Sequence, residues 1–230
     1  MGMDVPSKMK SKFRFNVRNK GDGLTLLKSL KTNSVPVVFF DPQYRALLDK
    51  MDYGNEGARQ GRRAALPAMD ERTIEAFFIE IRRVLRPSGH LFMWVDKYTL
   101  CEKRYPADLL KRVDLLTWEK SKIGMGYRFR HKSEHLLTFQ KPPARAKGKW
   151  KDHSIPDVWT TAMEHAEIRA IVTLWFDHVH QKPIGLQTRL IKAVTKAGDL
   201  VVDPCAGGYG VMAAARSASR KFLGCDLVVS

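Results

Sequence analysis

Two kinds of apolar pattern alternate along this chain. Residues 35–40, VPVVFF, and 90–95, HLFMWV, are apolar without interruption, the pattern of strands buried on both faces of a sheet. Between them Ile74, Phe77, Phe78, Ile81 and Leu85 recur at helical spacing, Asp70 stands where a helix cap belongs, and RPSG at 86–89 closes the helix. Residues 35–95 therefore predict strand, helix, strand: a parallel pair with a right-handed crossover. A second such unit spans 199–227, DLVVDPCAGGYGVMAAARSASRKFLGCDL, read as strand, glycine loop, alanine-rich helix, strand and acid. Ahead of it, Leu186, Leu190, Ile191 and Val194 predict a helix, with Pro183 in its first turn and Gly198 as its stop.

Weaker patterns fill the rest. FRFNVR, 13–18, alternates and predicts a short strand, followed by a turn at Gly21-Asp22-Gly23 and a short helix through Leu24, Leu27 and Leu30. The loop from Tyr44 to Met69 is over twenty residues long, a length that functional or disordered loops have. Residues 98–170 are less regular. Within them DLLTWEK (114–120) and HLLTFQK (135–141) suit paired strands near a sheet edge, and KPPARAKGKWKDHSIP (141–156) suits a loop. At 230 residues and 44% apolar composition, the chain has the size and core of one α/β domain with insertions.

Charge narrows the partners. Forty Lys and Arg against 24 Asp and Glu leave a net charge of +16, a field that favours a polyanion. An anionic membrane surface fits less well, because no basic amphipathic helix with a bulky apolar face is evident. No apolar run is long enough to span a bilayer, and the basic N-terminus lacks the apolar block of a signal peptide. Pro6 stands where a myristoylation motif has Ser or Thr. A soluble, cytoplasmic protein without membrane attachment is expected. The three cysteines, Cys101, Cys205 and Cys225, have neither disulfide parity nor metal-site spacing.

Two constellations carry candidate chemistry. In the first, Asp203-Pro204-Cys205-Ala206-Gly207-Gly208-Tyr209-Gly210 ends a strand in an acid and opens a helix through glycines. Glycines admit a ligand where any Cβ would clash, and the helix start offers free N–H donors. Asp226, ending the next strand, can accept both hydroxyls of a ribose. Together they suit an adenosine-bearing cofactor, although glycines also serve a plain strand–helix turn. The second is Asp41-Pro42-Gln43-Tyr44, which the fold brings to the same sheet edge. The amine of a nucleobase is a poor nucleophile because its lone pair is delocalised into the ring. The Asp41 carboxylate and the Pro42 carbonyl can each accept one of its N–H groups and aim that lone pair at an electrophile, while Tyr44 stacks on the base. By itself the tetrapeptide reads more readily as a strand-end turn with a buried tyrosine than as a site.

Taken together, these segments resemble the β-group of DNA amino-methyltransferases, which methylate adenine N6 or cytosine N4 with S-adenosylmethionine. DPQY at 41–44 resembles the group's catalytic motif and DPCAGGYG at 203–210 its cofactor motif, in the group's chain order. GDGLTLLKSL (21–30), RRVLRPSGHLFMWV (82–95) and HQKPIGLQTRLI (180–191) resemble the flanking segments. The resemblance covers most of the chain except about 98–170, where members keep a variable target-recognition region. It implies a Rossmann-like, mostly parallel, seven-stranded-type sheet with helices on both faces. One domain is implied, permuted into a catalytic half (13–97), a recognition region (about 98–170) and a cofactor half (about 178–230). It also implies Asp41, Pro42 and Tyr44 at the target base, and Asp22, Gln181, Lys182, Asp226 and the stretch Asp203, Pro204, Cys205, Ala206, Gly207, Gly208 and Gly210 at the cofactor. Gln43 departs from the proline usual in the group, which bears on base identity and rate.

The implied reaction is direct attack on the methyl group by a base swung out of the duplex. An Asp at the head of the motif goes more often with adenine N6. Cytosine N4, RNA, a protein amide, and a binding module with weak turnover stay open as alternatives, as does a homodimer. Arg45, Asn55, Arg59, Gln60, Arg62 and Arg63 in the long loop have the chemistry of DNA contacts, which phosphate contact alone also explains; Arg128, Arg130 and Lys132 further on suit the wall of a DNA cleft or a solvated strand face. A short or relaxed recognition site is expected from the short recognition region. His131 and His135 match an H-x-x-E-H zinc pattern, but RFRHKSEHLLTF reads as extended, which sets them roughly 13 Å apart. No metal site is expected.

Overall fold

The computed structural model describes residues 12–42, 69–103, 105–106, 108–124, 128–170 and 182–228. Eight strands form one sheet: β1 (Asn19–Lys20), β2 (Val35–Phe40), β3 (Leu85–Val95), β4 (Lys111–Gly124), β5 (His131–Gln140), β6 (Val158–Trp159), β7 (Leu200–Asp203) and β8 (Lys221–Asp226). Their spatial order is β1-β8-β7-β2-β3-β5-β4-β6. Neighbours from β1 to β3 are parallel, β5 is antiparallel to both β3 and β4, and β6 runs parallel to β4.

The continuous apolar runs become the central strands because both faces of the sheet are covered. In β2, Val37 and Phe39 point to one layer and Val38 and Phe40 to the other, and all four are buried. One layer is built on α5 (Ile184–Val194) and α6 (Gly210–Ser217), the other on α1 (Gly23–Lys28) and α2 (Glu71–Val84). Two further helices, α3 (Lys97–Glu102) and α4 (Thr161–Ala170), lie in the irregular stretch where none was expected.

Aspartates start three of these helices. Asp22, Asp70 and Asp96 each accept the N–H three residues on, at 2.7, 2.8 and 2.7 Å, contacts worth roughly 1 kcal/mol apiece. Helix α5 is started from outside: the buried Glu164 carboxylate of α4 accepts from Gly185 N at 2.7 Å and Leu186 N at 3.1 Å. Pro183 is the residue before α5 rather than its first turn.

Three sequence-based expectations change. FRFNVR is not a strand. Asn16 takes a left-handed φ of 58° and grips β8 through Phe222 N and O, while the Asn19 side chain brackets the backbone of Arg14. Local side-chain bonds have outcompeted the ladder, and only Asn19–Lys20 pair with β8. RPSG does not end α2, which stops at Val84; it lies inside β3 as an irregularity where the register with β2 shifts between Val35 and Val37. Pro87 is tolerated there because a bulge needs no ladder N–H. The pairing expected of 114–120 with 135–141 is found, but β5 also pairs with β3 over six residues, so this hairpin continues the main sheet. His131 and His135 lie on β5, extended as expected. Among the described residues, no helix is long and apolar enough to cross a membrane.

Candidate active site

Strands β8, β7 and β2 are adjacent and parallel, so their carboxyl ends fall on one edge. Each ends in or beside an acid: Asp226, Asp203 and Asp41. An open cavity of about 110 Å³ lies at this edge. Its walls come from Phe39, Phe40 and Asp41 on the β2 side, Trp94 from β3, Lys182 and Gln187 from α5 and its approach, and the loop after β7. Asp203, Cys205, Ala206, Gly207, Gly208 and Gly210 of that loop all line it.

The loop is held from several directions. Cys205 N donates to Asp203 Oδ1 at 3.0 Å, Ala206 N to the Cys225 carbonyl at 3.0 Å, and Gly207 N to Asp226 Oδ2 at 2.9 Å. Gly207 has φ +46°, a conformation side chains rarely adopt. Tyr209, also left-handed at φ 60°, is buried and donates its hydroxyl to the Asn19 carbonyl at 2.6 Å. The Gly21-Asp22-Gly23 turn packs on the same loop, bringing Asp22 alongside; Asp22 Oδ1 accepts from Thr25 N and Oγ1. Asp226 also accepts from Val228 N at 3.0 Å. Asp22, Pro204 and Asp226 support the loop without lining the cavity.

Electrostatics set the two halves apart. Asp203 is buried, and desolvation, with added repulsion from Asp41 and Asp226, pushes its carboxyl up to about 8 despite the Cys205 N–H. The Cys205 thiol is driven up by burial and by these carboxylates, and burial takes Cys225 up to about 12, so neither is an activated nucleophile. The opposite wall carries a cation. Lys182 Nζ lies 3.1 Å from Asp41 Oδ2 and 2.7 Å from Glu134 Oε2, and sits 5.4 Å from the Trp94 ring centre. Burial lowers the Lys182 ammonium's affinity for its proton, but Asp41 and Glu134 outweigh that and raise it. Glu134 is in turn pushed up by burial and brought down overall by Lys182 and Lys120.

The fold thus brings Asp41 and Pro42 to the same edge as Lys182 and the 203–210 loop. Tyr44, Gln181 and the loop residues Arg45, Asn55, Arg59, Gln60, Arg62 and Arg63 lie outside the described residues. Arg128 and Arg130 are exposed beside Phe129, itself 79% exposed, where the β4–β5 hairpin continues past the end of β3. Lys132, on the same hairpin, is ion-paired with Glu119 at 2.5 Å. Trp94, Gln187 and Glu134 were not anticipated as site residues. Trp94 and Glu134 sit in strand patterns indistinguishable from core and surface. Gln187 is a polar residue on the buried face of α5, and its Oε1 has no hydrogen-bond partner among the described residues. That misplaced polarity was the readable signal.

Comparison with known proteins agrees with this geometry. Residues 35–228 match the family described as DNA methylase, which spans N6 and N4 methyltransferases. The type II methyltransferase M.HhaII of Haemophilus parahaemolyticus is 47% identical over 218 residues, covering 93% of this chain and 91% of the relative. M.HpaI of Haemophilus parainfluenzae, another type II methyltransferase, is 27% identical over 90% of this chain and 68% of its own length. Among solved structures, the PvuII cytosine-N4-specific DNA methyltransferase superposes with a TM-score of 0.61 at 16% identity, covering 91% of this chain and 80% of that one. At that identity the likeness is one of fold.

Proposed function

The chain belongs to the DNA methylase family, and from that premise we propose that it transfers the methyl group of S-adenosylmethionine to N6 of adenine in DNA. The observation that carries this reading is the cavity shared by Asp41 and the glycine loop: amine acceptor and cofactor cradle open into one space.

The residues present suit S-adenosylmethionine. Gly207, Gly208 and Gly210 keep the cradle free of side chains, and the Gln187 Oε1 seeks a donor. The carboxylates of Asp203, Asp41 and Asp226 favour a ligand carrying positive charge, which a sulfonium and an ammonium supply. When bound, the cofactor provides a methyl group on a leaving group that needs no activation. Asp203 to Gly210 and Gln181 are assigned to it, with Asp22 beside the loop and Asp226 at the ribose; Lys182, expected at the cofactor, is instead ion-paired with Asp41 and Glu134.

The chain's own work is orientation and desolvation. Asp41 and the Pro42 carbonyl accept the two N–H groups of the target amine and turn its lone pair toward the methyl carbon. With S-adenosylmethionine bound, the amine nitrogen would gain the methyl group as the C–S bonding pair leaves with the sulfur, and Asp41 or solvent would take the amine's surplus proton. Such positioning contributes up to ~7–11 kcal/mol in favourable cases. Tyr44 stacks on the base once it is out of the duplex. The exposed Arg128 and Arg130, flanking Phe129, support a DNA-facing role for the hairpin, shared with Lys132 and the arginines of the 45–63 loop. We read the three sequence regions as one domain, and the enzyme as cytoplasmic, with the DNA it modifies.

Incubation of the chain with duplex DNA and methyl-labelled S-adenosylmethionine, followed by nucleoside analysis, tests the reading. N6-methyladenine is the expected product, lost in Asp41→Ala with cofactor binding retained. N4-methylcytosine overturns the base assignment, and label confined to RNA or protein overturns the substrate. Sequencing of the modified DNA reports whether the target is one site or relaxed, and sedimentation at assay concentration tests a homodimer.

A further inference from the structure

Lys182 stands between two carboxylates that come from different parts of the sheet. Asp41 ends β2, whereas Glu134 is on β5, two strands away. The bond to Glu134 is the shorter, 2.7 Å against 3.1 Å. Glu134 is itself held by Lys120 of β4 at 3.2 Å. The four groups form a row of alternating charge: Lys120, Glu134, Lys182, Asp41. Asp41, at the reacting end, is the most exposed of the row, its side chain 41% exposed against 17% for Lys182 and 26% for Glu134.

We propose that Glu134 is a positioning residue for methyl transfer: it locks the Lys182 ammonium in the place from which that ammonium orients the Asp41 carboxylate toward the target amine, so that Lys182 serves Asp41 rather than the methyl donor. This rests on the reading of Asp41 as the amine acceptor.

The physical need for such a device is on the page. An ammonium on a four-carbon stem is a mobile point charge unless something fixes it. Here Pro183 and the Glu164-capped start of α5 fix the backbone, the Trp94 ring bounds one side, and Glu134 fixes the Nζ. Among the described residues, Asp41 acts on Lys182, Asp203 and Cys205, and Glu134 reaches it through Lys182. Removing the cation takes away the opposite charge that favours an ionised Asp41. A protonated carboxyl presents an O–H where the amine needs an acceptor.

Single-turnover transfer to duplex DNA, its pH profile and S-adenosylmethionine affinity are measured for the wild type, Glu134→Gln, Lys182→Met, Lys182→Arg and the Glu134→Gln/Lys182→Met double variant. Each of Glu134→Gln and Lys182→Met is expected to slow transfer by roughly 10- to 100-fold with cofactor affinity unchanged. Removing the opposite charge disfavours ionised Asp41, so in Lys182→Met the acid limb of the rate moves up by about 1 pH unit or more. Lys182→Arg recovers part of the loss. The double variant is no slower than Lys182→Met, because Glu134 acts through Lys182. Weakened cofactor binding with an unmoved acid limb makes Lys182 a cofactor ligand and overturns the proposal, as do additive losses in the double variant. A wild-type chain without transfer to DNA refutes the proposed function instead.

Discussion

Gly23 lies so close to Pro204 that a Cβ built on it would stand 2.2 Å from the Pro204 carbonyl oxygen. The obstacle is backbone, which cannot swing aside as a side chain would. The turn before α1 and the loop after β7, 181 residues apart in sequence, are therefore packed as one support. Gly23→Ala is expected to lower stability by about 1–3 kcal/mol, as overpacking does, and to weaken S-adenosylmethionine binding by displacing the loop. Thermal melts and cofactor titration check both effects.

Gln187 carries an Oε1 in the cavity wall that has no hydrogen-bond partner among the described residues. A buried acceptor without a donor costs about 1–3 kcal/mol. Gln187→Leu should leave the ligand-free protein as stable or more so, while reducing S-adenosylmethionine affinity. Melting the two proteins with and without cofactor separates these opposite effects; a destabilised ligand-free variant contradicts the assignment.

Asp203 makes the ligand-free protein sensitive to pH. Its folded carboxyl is raised from 3.8 to about 8. As pH rises between those values, the unfolded chain has lost this proton and the folded one still holds it. The unfolded state then binds fewer protons, so the Asp203 contribution to stability falls across that window. A cationic ligand favours the ionised form, so cofactor affinity should rise with pH over the same range, with proton release on binding. Denaturation and calorimetry across pH, with Asp203→Asn flattening both trends, test this.

Arg128 and Arg130 are expected to meet DNA phosphates. Each lost phosphate contact lowers the salt slope of log K by about 0.9. The Arg128→Ala/Arg130→Ala double variant should therefore bind every duplex more weakly, with a shallower salt dependence and unchanged S-adenosylmethionine affinity. Fluorescence anisotropy at several salt concentrations reads the slope.

Local patterns determined the architecture. VPVVFF and HLFMWV read as strands covered on both faces, Asp70 announced its helix, and DPCAGGYG announced a strand–loop–helix cradle. These signals survive because each depends on neighbours in the chain: alternating side-chain direction, a carboxylate three residues from its N–H, and a backbone left bare by glycine. The failures have one cause as well. FRFNVR alternates like a strand, yet Asn16 and Asn19 bind β8 through side chains, and no local pattern records a contact with Phe222. Only the tertiary structure, through the order β8-β7-β2-β3-β5, decided that Glu134 reaches Lys182 and that Lys182 faces Asp41. Charges that meet across a sheet are chosen by strand order and register, and neither is written in the stretch of chain that carries them.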